Sequence, residues 1–209
     1  MTAQLVLVPG LGLDGRSSAS LRRLVPARVV ELPGMGLRGP VPPLEELADR
    51  LCAALGPGPV VLVGHSQSCQ VVVAAAQRDA RVTRLVLLGP TTDPRLRSLR
   101  GLAGRWLRTA GREPWRTLPS MFAQWLATGP RAMWQLWWRA EPDHIEQRLP
   151  RIAVPVTVAR GTRDRLCPHD WATALAAAAP RGVLVEIPGA AHLAVQTHPE
   201  EVAAVLTSG

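Results

Sequence analysis

The sequence predicts an α/β fold, a three-layer sandwich in which helices cover both faces of a mostly parallel sheet of about six strands. Short, continuous apolar runs recur along the chain, glycine-containing turns follow several of them, and helical segments lie between them. Continuous rather than alternating runs are typical of strands buried on both faces, as in a parallel sheet. The length of 209 residues fits one domain with a sizeable core, so we expect residues 1–209 to form a single domain.

Six apolar runs are predicted to form the strands, and helices are predicted between them. The runs are Leu5–Val8, Val29–Leu32, Val60–Val63, Leu85–Leu88, Val154–Ala159 and Val183–Ile187. The clearest helix covers residues 42–55, where two prolines suit a first turn, leucines recur on one face and Gly56 follows. Residues 199–206 form the last predicted helix, since a proline and two glutamates stand at its start.

One segment interrupts this alternation, because no convincing strand is found between Asp93 and Pro150. It contains the only phenylalanine and six of the seven tryptophans, which are Trp106, Trp115, Trp125, Trp134, Trp137 and Trp138. We predict a small helical cap over the sheet at about residues 95–150. Its aromatic side chains either form the core of the cap itself or line an apolar substrate pocket beneath a lid, and both interpretations stay open.

The net charge of +8 by itself suggests a nucleic-acid or membrane partner. All 24 basic residues are arginine, however, which favours the codon bias of a GC-rich genome as the cause. The one clear basic cluster has seven arginines from Arg95 to Arg116, with Glu113 as its only acid. We interpret this cluster as a solvated face, with an acidic partner or substrate as the alternative.

The composition also bears on location and on metal sites. No apolar run approaches the ~18 residues that a membrane span needs, and a strand at Leu5–Val8 leaves no room for a signal peptide. The three cysteines, Cys52, Cys69 and Cys167, lie far apart, which argues against a disulfide framework or a structural zinc site. We therefore expect a cytoplasmic protein that binds neither membranes nor nucleic acids.

A candidate nucleophile stands between a predicted strand and a predicted helix. Residues 64–68 read Gly-His-Ser-Gln-Ser, after one strand and at the start of the helical stretch Gln67–Arg78. A nucleophile on such a tight turn has a strained backbone, so its neighbours must be small, as Gly64 and Ser68 are. We predict Ser66 as the nucleophile, and an ordinary β–α turn with a capping serine is the alternative.

A serine hydroxyl needs a base, and the base needs an orienting partner. Asp164 and His192 each follow a different predicted strand, so we expect both at the same sheet edge as Ser66. In this hypothesis His192 takes the proton from Ser66 and returns it to the leaving group, while Asp164 holds the imidazole tautomer. Asp93 is the alternative acid, and His65 is a poor base for its own neighbour.

The first predicted strand leads into a glycine-rich loop, Pro-Gly-Leu-Gly at residues 9–12. We predict that the backbone N–H groups of Leu11 and Gln67 form an oxyanion hole, because such a loop and the residue after the nucleophile supply the donors. A phosphate-binding loop is excluded, since the chain has no lysine. A dinucleotide-binding loop, with G-x-G-x-x-G beginning at Gly10, stays an alternative.

Four motifs together resemble the α/β-hydrolase superfamily over nearly the whole chain. They are Pro-Gly-Leu-Gly at 9–12, Gly-His-Ser-Gln-Ser at 64–68, Gly-Thr-Arg-Asp at 161–164 with Pro168, and Gly-Ala-Ala-His at 189–192. The resemblance implies a serine-nucleophile fold with an inserted helical cap. It also implies that the two leading antiparallel strands are missing, because the chain begins at what resembles the third strand. Pro9 and Ser68 depart from the family pattern, in which His is frequent and Gly is usual.

We therefore predict hydrolysis of an ester or thioester of a small or medium apolar or aromatic substrate through an acyl-enzyme, with no metal or organic cofactor. The first alternative is an elimination or cyclisation in which His192 acts as a general base on carbon, and Leu11 and Gln67 stabilise an enolate. A binding protein on the same scaffold is the second alternative. A second copy of the chain and an acidic carrier protein stay open as partners.

Overall fold

The computed structural model describes residues 3–96, 104, 109, 111–140 and 142–208. The strands in this part of the chain are β1 (Gln4–Val8), β2 (Ala27–Val29), β3 (Leu32–Pro33), β4 (Gly36–Leu37), β5 (Val60–His65), β6 (Val82–Leu88), β7 (Val156–Gly161) and β8 (Gly182–Ile187). Six of them form one sheet in the order β2-β1-β5-β6-β7-β8, and every neighbouring pair runs parallel. The predicted six-stranded parallel sheet is confirmed.

Helices connect these strands. They are α1 (Leu21–Leu24), α2 (Leu44–Ala54), α3 (Ser68–Ala76), α4 (Leu118–Thr128), α5 (Pro130–Ala140), α6 (Ile145–Arg148), α7 (His169–Ala178), α8 (Ala194–Thr197) and α9 (Pro199–Thr207). The helices predicted at 42–55 and 199–206 correspond to α2 and α9. In α2 the leucines are buried and the two glutamates of the first turn are exposed, as the 3.6-residue period requires.

The core consists of two apolar layers, one on each face of the sheet. Along β1, Val6 and Val8 pack into the layer that contains α2, α3 and α7, whereas Leu7 packs into the layer of α1, α8 and α9. Successive side chains of a strand point to opposite faces, so a strand covered on both sides is apolar throughout. This is the physical reason why continuous apolar runs predicted the central strands.

The two edge strands differ from the prediction in detail. The strand predicted at Val29–Leu32 lies instead at Ala27–Val29, and the chain then turns into the small sheet of β3 and β4. Glu31 stands in this turn and accepts a hydrogen bond from the backbone N–H of Gly15 at 2.8 Å. At the other edge, Val183 of β8 is 54% exposed, because an edge strand has a neighbour on one side only.

We refer to residues 89–155, which lie between β6 and β7, as the insertion. Its described residues contain α4, α5 and α6 and no strand. Trp134, Trp137 and Trp138 contact one another along α5. One tryptophan and four members of the predicted basic cluster lie outside the described residues: Trp106, Arg97, Arg100, Arg105 and Arg108. Across the part of the chain that the structure describes, no helix is long and apolar enough to cross a membrane.

Candidate active site

Ser66 lies on the turn between β5 and α3, with a φ of +57°. A side chain is rarely found in this left-handed region, and such strain is concentrated at functional sites. The turn is tight, since a Cβ atom added to Gly64 would lie 2.8 Å from Val72 Cγ2 and 2.9 Å from the Cα atom of Cys69. The Ser66 N–H donates to the carbonyl of Leu88 at 2.8 Å, which fixes the turn to the end of β6.

Ser68 occupies the position at which the family pattern has glycine. Its side chain is fully buried, and its Oγ accepts a hydrogen bond from the His65 N–H at 2.8 Å. The same Oγ lies 2.8 Å from the carbonyl oxygen of Val8, to which its hydroxyl proton can be donated. Ser68 therefore fits the turn and connects it to the end of β1, where the glycine-rich loop begins.

The structure brings the three predicted side chains together. His192 Nε2 lies 2.9 Å from Ser66 Oγ, and His192 Nδ1 lies 2.8 Å from Asp164 Oδ2. The exposed fraction is 9% for Ser66, and it is 10% and 1% for the side chains of His192 and Asp164. Asp93, the alternative acid, is bound instead by the guanidinium and the backbone N–H of Arg95.

The loops that carry Asp164 and His192 pack tightly on each other. The N–H of Arg163 donates to the carbonyl of Ala190 at 2.9 Å. A Cβ atom on Gly161 would lie only 2.3 Å from the same carbonyl oxygen, so only glycine fits at this crossing. The close approach of the two loops sets the distance between the carboxylate and the imidazole.

Two histidines beside Ser66 have opposite electrostatic properties. Burial lowers the pKa of His192, but the charge and hydrogen bond of Asp164 and the charge of Glu113 outweigh it, so the pKa is raised. Burial and the neighbouring His192 lower the pKa of His65 to about 4. His65 is therefore neutral near pH 7, and its Nε2 lies 3.1 Å from the carbonyl oxygen of His192.

The glycine-rich loop passes directly beside the nucleophile. A Cβ atom on Gly10 would lie 3.1 Å from Ser66 Cβ. The Gly12 N–H donates to the carbonyl of Gly34 at 2.8 Å, which orients the loop. Among the described residues, no acceptor is hydrogen-bonded to the N–H of Leu11 or of Gln67. These two donors are therefore available to a ligand, as the oxyanion hypothesis requires.

The sequence profile of the alpha/beta hydrolase family matches residues 5–205. The chain belongs to the alpha/beta hydrolase family. Its fold is similar to that of a thermophilic esterase from Thermogutta terrifontis, at 22% identity and a TM-score of 0.76, covering 99% of this chain and 88% of the other. An enol-lactonase from Burkholderia xenovorans LB400 is 20% identical, with a TM-score of 0.75 and coverage of 99% and 90%. A bromoperoxidase from Bacillus anthracis is 18% identical, with a TM-score of 0.73 and coverage of 98% and 91%.

No curated protein matches this chain. The identities to the solved structures are low, so these similarities concern the fold and leave the substrate open. Among the described residues, no three His, Cys, Asp or Glu side chains are grouped so that they could hold a metal ion. Burial raises the pKa of the thiols of Cys69 and Cys167, so neither sulfur is a thiolate near pH 7.

The insertion holds the glycine-rich loop in place. The N–H of Asp14 donates to Gln124 Oε1 at 3.0 Å, and Thr128 Oγ1 donates to the carbonyl of Gly12 at 3.1 Å. Both α4 side chains are fully buried. Trp125 also touches the loop, since a Cβ atom on Gly12 would lie 2.6 Å from its ring. Leu11, one of the two predicted oxyanion donors, therefore stands on a loop that contacts α4.

One residue beside the site was missed by the sequence analysis, and the contact made by a second residue was not predicted. Glu113 reaches from the insertion to the loop of His192, where its Oε1 accepts the N–H of Leu193 at 2.7 Å. Its only signal in the sequence was its isolation within an arginine cluster. His65 was noticed as a neighbour of the nucleophile, but its contact with the backbone of His192 has no counterpart in any motif.

Proposed function

We propose that this hydrolase cleaves an ester or thioester of a small or medium apolar substrate, with Ser66 as the nucleophile. One observation carries the proposal: the hydrogen-bond chain from Ser66 Oγ through both ring nitrogens of His192 to Asp164. A serine hydroxyl is a poor nucleophile near pH 7 unless a base removes its proton, and this arrangement supplies that base with an orienting carboxylate.

The first half of the reaction forms an acyl-enzyme. Ser66 Oγ attacks the acyl carbon while His192 Nε2 takes its proton, and the carbonyl oxygen becomes an oxyanion. The N–H groups of Leu11 and Gln67 donate to this oxyanion. The bond to the leaving alcohol or thiol then breaks, the leaving group takes the proton from His192, and the acyl group stays on Ser66.

The second half returns the enzyme to its starting state. A water molecule gives a proton to His192 Nε2 as its oxygen attacks the acyl carbon. The bond to Ser66 Oγ breaks, Ser66 recovers the proton from His192, and the carboxylic acid leaves. Asp164 stays ionised throughout and stabilises the imidazolium in both halves.

We also propose that the insertion acts as a cap, and that its apolar side chains receive the acyl group. A buried apolar cluster contains Leu13, directly after the glycine-rich loop, Met121 of α4 and Leu193 beside the base, and Trp125 packs against it. An apolar wall that meets a few polar groups near the reacting atoms is typical of small-molecule sites. This supports an apolar or aromatic substrate.

A fluorophosphonate probe tests the proposal, with intact mass and the labelled peptide as readouts. We expect one adduct on Ser66, no adduct in Ser66→Ala, and much slower labelling in His192→Ala. The matched control is His169→Ala, because His169 is exposed and, among the described contacts, its ring pairs with Glu186 and not with Ser66, His192 or Asp164. Panels of esters and thioesters of increasing acyl length then identify the leaving group and the chain length. A folded wild type without an adduct would refute the proposal and favour general-base chemistry by His192 on a carbon acid.

A further inference from the structure

The peptide bond that joins His192 to Leu193 is held at both of its polar ends. Its carbonyl oxygen lies 3.1 Å from His65 Nε2, and its N–H donates to Glu113 Oε1 at 2.7 Å. His65 belongs to the turn of the nucleophile, whereas Glu113 belongs to the insertion. One peptide unit, directly after the predicted base, is therefore clamped between two separate parts of the fold.

The carbonyl end of this clamp determines the tautomer of His65. A carbonyl oxygen only accepts hydrogen bonds, so His65 Nε2 carries the proton and donates it. The ring is neutral because burial and the neighbouring His192 lower the pKa of His65 to about 4. His65 therefore adds a fixed hydrogen bond beside the base without adding a charge.

The N–H end is bound by the carboxyl group of Glu113. Glu113 is partly buried, and its second oxygen, Oε2, has no hydrogen-bond partner among the described residues. Burial raises the pKa of Glu113, and the negative charge of Asp164 raises it further. The N–H groups of Leu193 and His192 and the charge of His192 lower the pKa, but the net result is a raised pKa. The titratable groups facing His192 are Asp164, Glu113 and the neutral His65.

We infer that Glu113 is a positioning residue for His192, holding the peptide after the base and favouring the imidazolium through its negative charge. The inference rests on the proposed function, in which His192 gains a proton when Ser66 attacks. It gives the insertion a part in the chemical step, because Glu113 reaches the base loop from there. Asp164 orients the ring directly, whereas Glu113 acts through the backbone and through space.

Two substitutions separate the charge of Glu113 from its hydrogen bond. Glu113→Gln keeps an oxygen that accepts the Leu193 N–H but removes the negative charge, so we expect a lower pKa for His192. Glu113→Leu removes both, and we expect the rate of Ser66 labelling to fall about tenfold, in line with the loss of a charge-assisted hydrogen bond. Glu201→Gln is the matched control, because Glu201 is an exposed glutamate on α9.

The test measures the His192 pKa by ¹⁵N-imidazole NMR titration and the pH dependence of fluorophosphonate labelling in the same samples. The His192 resonance is identified by its loss in His192→Ala. We expect both the NMR pKa and the acidic limb of labelling to move to lower pH in Glu113→Gln and to stay unchanged in Glu201→Gln. Coincident titrations of His192 in Glu113→Gln and the wild type would overturn the inference, even where Glu113→Leu does not fold. The proposed function fails if the wild type takes no label at any pH. The NMR comparison does not depend on labelling, so the two failures can be told apart.

Discussion

The replacement Asp164→Asn changes one group in the proposed proton relay while almost preserving its shape. Asp164 Oδ1 accepts the N–H groups of Leu166 at 2.8 Å and Cys167 at 3.1 Å, whereas Oδ2 faces His192 Nδ1 at 2.8 Å. Two N–H donors require an oxygen at the first position. The new amide nitrogen therefore takes the second position and points at the imidazole.

This orientation inverts the hydrogen bonding of the base. An amide NH₂ donates, so His192 Nδ1 must accept, and the ring proton moves to Nε2, which faces Ser66. Nε2 then has no lone pair for the Ser66 proton, and the negative charge behind the imidazolium is lost. We expect the rate of Ser66 labelling and kcat to fall about 10³- to 10⁴-fold, or about 4 to 5.5 kcal/mol in the barrier.

Asp93→Asn is the matched control, because both carboxylates are 1% exposed. Asp93 binds the Arg95 guanidinium, so its replacement costs about 1–3 kcal/mol of unfolding free energy but leaves labelling within about threefold of the wild type. Labelling kinetics by intact mass and urea denaturation measure the two effects. A rate for Asp164→Asn within about tenfold of the wild type, or an equal loss in Asp93→Asn, would show that the relay has been assigned incorrectly.

Three further predictions follow from contacts around the site. Gly10→Ala places a methyl group 3.0 Å from His65 Nδ1, which displaces the glycine-rich loop and its Leu11 N–H. We expect the labelling of Ser66 to slow about tenfold, and an unchanged rate would contradict this. Gln124→Leu leaves the buried N–H of Asp14 without its acceptor and lowers the unfolding free energy by about 1–3 kcal/mol in urea denaturation, and no measurable change would refute the role. The pKa of His65 is about 4 in the folded protein, compared with 6.5 in the unfolded chain. Between pH 4 and pH 6.5 the unfolded chain therefore binds more protons than the folded protein. The unfolding free energy therefore decreases by about 3 kcal/mol as pH falls from 6.5 to 4, and His65→Gln abolishes this part of the slope; parallel slopes exclude it.

The strands of the sheet could be predicted from the sequence where their burial is complete. Strands β5, β6 and β7 lie between two neighbours and under helices on both faces, so each contains a mainly apolar run by which it was identified. The prediction was less accurate at the edges. The strand predicted at Val29–Leu32 lies at Ala27–Val29, because the chain leaves the main sheet after Val29 and turns at Glu31.

The candidate site was found because topology makes its residues converge. Ser66, Asp164 and His192 follow three parallel strands, and the carboxyl ends of parallel strands share one edge. Their catalytic roles, and those of Leu11 and Gln67, remain predictions for the labelling experiment. The cap and the pocket tryptophans are likewise hypotheses, although Trp125 contacts the glycine-rich loop.

The sequence by itself determined the fold class, the strand that carries each candidate catalytic residue, and the tight turn at Ser66. These depend on local patterns, namely apolar runs, small residues at a turn and chain order. Only the tertiary structure decided how the base is held. The bonds from Glu113 to Leu193 and from His65 to His192 span 80 and 127 residues of chain, and no periodicity or motif encodes such a pairing. They form because the insertion and the Ser66 turn meet at the same loop, which is a property of the assembled fold.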